Sequence, residues 1–296
     1  MAILLTGGTG KTSTRIAALL QATNTTFLLA SRRTHSSSHP SIHFDWTDPT
    51  TWHNAFAQDT INSVYMMEPQ VGQPWVPMIN FLDYAIDKGV KRFVLCAGTT
   101  TARGQDGMGR VWDAFIDRKV EFCVLRPTWF MGMFLYAVLI DLESNACIEN
   151  LIEPGLVYTI GQQNKIFTAC QDGRIPFVSA DDIAAVAVCA LTAQESFDCD
   201  MRVLGPELFT YDDVCAKLSK VLGRHIEHVK LGESGRYENL VQAGLSDYYA
   251  RFFTNIEVKA SHGFETALNN VVENVTGHPP KRFDAFVEEN KAVWLA

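Results

Sequence analysis

The first fifteen residues constrain this chain more than any other stretch. Ala2, Ile3, Leu4, Leu5 and Thr6 form a short apolar run, which Gly7-Gly8-Thr9-Gly10 interrupts at once. Over residues 11–20 the spacing predicts a helix with Ile16, Leu19 and Leu20 on one face. Strand, glycine turn and helix are the opening of a dinucleotide-binding unit. A side chain in the turn would hold the backbone away from a pyrophosphate, and the helix N-terminus offers that anion N–H groups and a partial positive charge. The spacing is Gly7-x-x-Gly10-x-x-Ser13, with a serine where a third glycine would sit. Gly10-Lys11-Thr12 imitates the end of a nucleoside-triphosphate loop, but that motif needs a glycine where Leu5 stands.

At 296 residues and 47% hydrophobic, the chain is long enough for a full α/β core with a small accessory lobe. Its formal net charge of -8 argues against nucleic acid as a partner, because phosphate binding needs a basic face. No apolar run is long enough to span a membrane, and the N-terminal stretch lacks the basic leader of a secretion signal. The cysteines are scattered and include no C-x-x-C, so they read as reduced, with a cytoplasmic location expected and no metal site.

Further strands are predicted over residues 26–31, 42–46, 61–67, 92–97 and 121–126, with a helix over 76–88. Strands alternating with helices at this spacing imply a parallel sheet with right-handed crossovers. Ligands in such sheets gather at the carboxyl ends of the strands, so the tips near 7–12, 31–33, 66–68, 97–100 and 127–130 are expected to ring one crevice. The second strand ends in Ser31-Arg32-Arg33 with no acid nearby. A carboxylate there would suit the ribose 2′-hydroxyl of NAD, whereas guanidinium suits the 2′-phosphate of NADP. Asp45 is expected near an adenine. Later, a helix is expected over 134–150, another over 180–193 with an acidic start, and a strand near 201–204. From Thr210 the pattern turns to helices over 211–222, 234–243 and 283–294, around a strand at 225–231.

The chemistry is marked by an absence. A short-chain dehydrogenase of the usual kind uses a tyrosine acid and a lysine one helical turn later. Tyr84-x-x-x-Lys88 has that spacing but lies before the fifth strand, which makes Tyr84 a packing residue. No tyrosine occurs between Thr99 and Lys119, where the pair belongs. Reducing a ketone calls for a proton at the developing alkoxide; adding hydride to C=N⁺ does not. The site therefore suits a cationic C=N substrate, or no chemistry at all. Arg110 and Asp113 are the assisting candidates in this region, Arg110 as a fixed cation at the ribose. Trp129, Phe130, Met131, Met133, Phe134 and Tyr136 read either as helix packing or as a flat apolar pocket that meets a cation through π faces. His225-x-x-His228 reads as a surface strand, since residues three apart on a strand face opposite ways.

Taken in order, Gly-Gly-Thr-Gly at 7–10, Ser31-Arg32, Phe44-Asp45-Trp46, Leu125-Arg126-Pro127-Thr128-Trp129-Phe130-Met131 and Ile175-Pro176-Phe177-Val178-Ser179-Ala180-Asp181-Asp182-Ile183-Ala184 make the chain resemble NmrA-like atypical short-chain dehydrogenases. It is similar in particular to the fungal festuclavine- and agroclavine-type dehydrogenases of ergot and prenylated indole alkaloid pathways. The resemblance implies an NADP(H)-dependent oxidoreductase that reduces an iminium. It implies that Gly7, Thr9, Gly10, Lys11 and Thr12 hold the pyrophosphate and Arg32 the 2′-phosphate. Asp45 would lie near adenine, and Pro127, Thr128 and Phe130 beside the nicotinamide. With the strand tips it adds Met67 and Ala97 to the cofactor set, places Glu68, Thr99, Trp129 and Met133 around a small-molecule indole alkaloid, and leaves Arg110, Asp113 and Trp129 as catalytic candidates.

Arg110 stands where many relatives have lysine, and Gly132-Met133 replaces a more polar pair, so a bulkier substrate is expected. Coupling of the redox step to an intramolecular Diels–Alder closure stays open, as does a non-catalytic NADP-sensing regulator that docks on a protein. The expected architecture is a Rossmann-type, doubly wound parallel sheet with a smaller, mostly helical C-terminal substrate lobe. Residues 1–150, with 176–205 returning, would form the NADP domain; 206–296 with 151–175 would form the lobe. The oligomeric state is left open.

Overall fold

The computed structural model describes residues 1–32, 39–57, 59–69, 71–135 and 156–295. Arg33, Tyr136, Cys147 and most of the helix expected over 134–150 lie outside the described residues. The chain opens with β1 (Ala2–Thr6), α1 (Lys11–Ala22), β2 (Phe27–Ser31), β3 (Ser41–His43), a 3-10 turn (Pro49–Phe56) and β4 (Ile61–Met67). It continues with α2 (Trp75–Asp87), β5 (Arg92–Cys96), α3 (Met108–Asp117), β6 (Glu121–Pro127), a 3-10 turn (Met131–Leu135) and the single turn α4 (Leu156–Tyr158). Then follow β7 (Lys165–Thr168), α5 (Ala180–Thr192), β8 (Cys199–Val203), α6 (Tyr211–Leu222) and β9 (Glu227–Lys230). The chain ends in α7 (Glu233–Gln242), α8 (Asp247–Ser261), α9 (Val271–Thr276), α10 (Phe283–Asn290) and α11 (Ala292–Leu295).

These elements form two units. The first comprises 1–127, 180–203 and 271–278; the second comprises 128–179, 204–270 and 279–296. The first is a seven-stranded parallel sheet in the order β3-β2-β1-β4-β5-β6-β8. Every residue of β1 and β5 is buried, as a parallel strand covered on both faces requires. On one face Leu4, Val64 and Phe93 pack with Met78, Phe81, Val111 and Phe115 from α2 and α3. On the other, α5 lies against β4, β5 and β6 beside α1, to which Asp181 ties Arg15 at 2.5 Å. This is the doubly wound, Rossmann-type arrangement expected from the sequence. The order reverses at β1, which puts the switch point between β1 and β4.

In the second unit β7 and β9 pair in parallel, and helices surround a core of Phe134, Phe177, Tyr211, Phe283 and Trp294. Helix α6 begins in a capping box, with Thr210 and Asp213 satisfying each other's backbone N–H, and ends at Gly223 with φ +66°.

Several boundaries differ from the sequence reading. The first unit ends at Pro127 instead of near 150, and α9 returns to it from the C-terminal region. β3 stops at His43, so Asp45 sits in the loop beyond. Helix α8 and strand β7 were not expected. The buried positions of α8 are Ala250, Thr254, Glu257 and Ala260, a face too small and polar to show as an apolar period. Leu19 is exposed; the buried face of α1 is Thr12, Ser13, Ile16, Ala17 and Leu20. His228 is not on a bland surface strand. Its side chain is buried, with Nδ1 at 2.8 Å from Asp212 Oδ1 and Nε2 at 2.9 Å from Thr168 Oγ1, and burial lowers its pKa. Among the described residues no three His, Cys, Asp or Glu side chains group as metal ligands, and no helix is long and apolar enough to cross a membrane.

Candidate functional site

The turn after β1 is closed by its own backbone. Gly8 N–H donates to Ala30 O at 3.0 Å, and Gly10 N–H donates to Gly7 O at 2.7 Å. Gly7 has φ +61°, and a Cβ there would stand 3.1 Å from Met67 Cβ; a Cβ on Gly10 would stand 2.9 Å from Gly7 O. Glycine is thus needed twice, for conformation and for space. Gly10 caps α1 with no side chain, so the first-turn amides of α1 face the carboxyl edge of the sheet uncovered by a capping oxygen. Ser13, at the third fingerprint position, is buried and donates to Thr6 O at 2.8 Å. The Thr12 hydroxyl is also buried and accepts from Tyr65 Oη at 3.0 Å, leaving only its backbone amide for a ligand. Lys11 follows at the first helical position. Burial, with repulsion from Arg15, brings its ammonium down to about 7. Thr9 is exposed at the tip.

At the end of β2, Ser31 is buried and Arg32 exposed; His43 Nδ1 lies 3.0 Å from Arg32 O. Asp45 is half-buried, and its Oδ1 accepts from Thr47 N–H at 2.8 Å and Thr47 Oγ1 at 2.7 Å. An open groove of about 310 Å³ runs between Trp46, Thr47, Trp52, Val71, Val76 and Asn80. Trp46 and Trp52 are set edge-on against Phe81, with centroids 5.4 Å away in each case, so the groove wall is rigid.

On the other side of the switch point, Met67 N–H donates to Thr6 Oγ1 at 2.9 Å, locking the end of β4 to β1. Glu68 comes next. Its side chain reaches solvent, yet protein crowds it on most sides, and that desolvation pushes its carboxyl up to about 7. Cys96, opposite Met67 at the end of β5, is pushed up to about 11 by burial and also by the Glu68 charge. Ala97 N–H donates to Leu125 O at 2.8 Å and Thr99 N–H to Pro127 O at 3.1 Å, which extends the β5–β6 pairing past the strand end. Arg126 holds this loop: its Nη2 donates to Thr99 O at 2.8 Å, its Nη1 to Asp200 at 2.7 Å, and it covers the Trp112 ring.

The second unit begins at Thr128, which is buried and donates to Glu265 at 3.4 Å. Trp129 O accepts from Val178 N–H at 2.9 Å, and Met131 N–H donates to Val178 O at 2.8 Å. Trp129 and Phe130 stay half-buried. Met131, Met133 and Phe134 are core residues of this unit, and Tyr211 Oη donates to Met133 Sδ at 3.9 Å. The packing reading therefore holds for these three. Met133, expected in the pocket, is instead buried.

No family model matches the chain. Festuclavine synthase II of Penicillium roqueforti is 41% identical over 304 residues, covering 99% of this chain and 100% of that protein. Agroclavine dehydrogenase of Claviceps fusiformis is 38% identical over 306 residues, covering 100% and 99%. The chain belongs to the festuclavine synthase and agroclavine dehydrogenase family. That is a family of oxidoreductases. Among solved structures, the Citrobacter triphenylmethane reductase complexed with NADP(H) matches with a TM-score of 0.77 at 16% identity, covering 98% of this chain and 100% of that one; at this identity it speaks for the fold.

The other candidates fall on the surface of α3. Arg110 is exposed and paired with Asp106, Nη2 to Oδ1 2.9 Å, and Asp113 accepts from Arg103 Nε at 2.6 Å. Tyr84 packs against Trp52 and Phe56 with centroids 5.7 Å away in each case, and Lys88 Nζ lies 5.4 Å over its ring. The tyrosine and lysine thus serve each other and the core. The reading of single residues missed Arg126 and Tyr65. Arg126 lies within the Leu125-Arg126-Pro127 segment, but only the sheet shows that its guanidinium grips the loop after β5.

Proposed function

We propose that this protein is an NADP(H)-dependent reductase of a C=N bond in an indole alkaloid. The observation that carries it is the turn at 7–13, which holds backbone amides at the β1–β4 switch point and is packed too closely on itself and on Met67 to admit a Cβ at Gly7 or Gly10. The residues present fit the cofactor. Gly7, Thr9, Gly10, Lys11 and Thr12 offer backbone groups and a cation to the pyrophosphate, Arg32 suits the 2′-phosphate, and the Trp-walled groove beside Asp45 suits adenine. Met67, Ala97 and Pro127 border the opposite half, with Thr128 and Phe130 assigned beside the nicotinamide. When bound, NADPH supplies hydride. Glu68, Thr99 and Trp129 are the residues assigned to the substrate. Arg110 and Asp113 are the weaker catalytic candidates, because each is already engaged in a surface ion pair.

The full-length relatives named as synthases and dehydrogenases of clavine alkaloids support an enzyme over a cofactor-sensing regulator. The deciding experiment mixes the protein in a single turnover with deuterium-labelled NADPH and a panel of indole iminium compounds, read by mass spectrometry. Deuterium at the former C=N carbon is expected. A cyclised product that retains or recycles the label would extend the reading to a coupled ring closure. Tight NADPH binding with no transfer to any compound would overturn the reductase in favour of the regulator.

A further inference from the structure

Besides the phosphate turn, the described residues include the Trp46–Trp52 groove, the buried Thr168–His228–Asp212 chain, the paired thiols of Cys123 and Cys199, and the exposed rings Tyr248 and Phe252 on α8. The groove belongs to the cofactor reading. Thr168 is wholly buried, out of reach of any substrate, and nothing in the structure shows what covers the α8 rings. Glu68 goes further than any of these.

We propose that Glu68 selects the substrate by charge: its carboxylate receives the cationic nitrogen of an iminium in the first unit. The inference rests on the reductase reading and names the substrate class of that site. Two observations and the proposed direction of the cofactor carry it. Glu68 follows directly on Met67, whose side chain would meet a Cβ on Gly7 at 3.1 Å, so it stands at the tip of β4 beside the phosphate turn. With Arg32 at the β2 end taking the phosphate side, the redox half of the dinucleotide runs the other way from β1, toward the tips of β4 and β5 where Glu68 and Cys96 lie. Among the described residues, Glu68 makes no hydrogen bond or ion pair. Lys11, the cation of the same turn, is brought down to about 7 by burial and by repulsion from Arg15.

Desolvation raises the Glu68 carboxyl to about 7 even though its side chain reaches solvent, and no cation among the described residues stands beside it to offset that cost. A ligand that brings its own positive charge removes that cost, whereas a neutral ligand of equal shape does not. The chemistry is consistent with recruitment by charge. Hydride, a proton with two electrons, adds to the C=N⁺ carbon; the π pair becomes the nitrogen lone pair, and the cofactor is oxidised by those two electrons. The nitrogen leaves hydride addition as an uncharged amine, whose new lone pair can then take up a proton.

The test is binding, read by calorimetry, of N2-methyl-3,4-dihydro-β-carbolinium as the cation and the uncharged lactam of the same ring system as its control, both with NADP⁺ present. Wild type should prefer the cation. Glu68→Gln should weaken the cation by about tenfold or more, the scale of one charge-assisted hydrogen bond, and leave the lactam and NADPH unchanged. Glu68→Asp should restore part of the preference. Equal affinity of wild type and Glu68→Gln for the cation would overturn the proposal, as would a parallel loss of NADPH, which would put Glu68 in the cofactor cradle. A charge-dependent cation site in a protein that never binds NADPH would keep Glu68 and overturn the reductase reading.

Discussion

The hydroxyl of Ser13 reaches back from the first turn of α1 to the carbonyl of Thr6, the last residue of β1, across 2.8 Å in a fully buried setting. This contact closes the strand–turn–helix unit where a glycine fingerprint would rely on the absence of a side chain. Ser13→Ala leaves that carbonyl without its donor, and urea melts should show a loss of about 1–3 kcal/mol. Ser13→Gly should be no more stable than the alanine variant, because it adds the helix cost of glycine.

Gly10→Ala tests the cradle itself. The new Cβ would lie 2.9 Å from the Gly7 carbonyl, which accepts from Gly10 N–H within the same turn. The turn must open, and NADPH affinity, read by fluorescence titration, should fall by at least about tenfold, roughly 1.4 kcal/mol. An unchanged affinity would remove this turn from the cofactor site.

Arg32→Ala should separate the two nicotinamide cofactors. Losing a guanidinium–phosphate contact costs about 1.5–3 kcal/mol, so NADPH should weaken by roughly 10- to 150-fold while NADH changes little. Equal effects on both would contradict the assignment of Arg32 to the 2′-phosphate.

Glu68 and Lys11 make stability depend on pH in opposite senses. The Glu68 carboxyl rises from 4.5 to about 7, so the folded state holds the extra proton between those values and stability falls as pH climbs through them. Lys11 drops from 10.5 to about 7, so its penalty is complete below about 7 and is relieved as pH rises toward 10.5. Cys96, held up to about 11, and Tyr65, raised by burial, stay neutral across the Glu68 window and do not contribute. In melting scans, the gain of Glu68→Gln over wild type should be absent near pH 4.5 and full above 7. The gain of Lys11→Met should be full at pH 6 and shrink by pH 10.

The second unit carries a buried ion pair. Arg236 Nη2 donates to Glu257 Oε1 at 2.7 Å and Arg236 Nε to Oε2 at 3.0 Å, while Ala169 N–H donates to Oε2 at 2.5 Å. Both side chains are almost wholly buried. Arg236→Ala strands a carboxylate in the interior and should cost about 3–5 kcal/mol in denaturant melts. The paired change Arg236→Met with Glu257→Leu should recover most of that loss.

The sequence alone determined the strands of the first unit to within a few residues, because a parallel strand buried on both faces leaves an apolar run and a phosphate turn leaves glycines. Residues 2–6, 7–10, 61–67 and 92–96 bear those marks. Charge at Arg32 and the missing tyrosine after Thr99 are also one-dimensional facts, and the proposed 2′-phosphate contact and reaction class rest on them. Only the tertiary structure decided the rest. The second unit is assembled from three excursions of the chain, leaving after Pro127, Val203 and His278, and of these the exit at Val203 alone lies near a change of pattern, the helical run from Thr210. Helix α8 hides its buried face in Ala250, Thr254, Glu257 and Ala260, where Glu257 meets the Arg236 guanidinium and Ala250 packs with Leu240 and Leu245. Met133 and Glu68 exchange prominence for the same reason. An apolar side chain and a carboxylate take their roles from what surrounds them, and burial and partners are fixed by segments far apart in sequence.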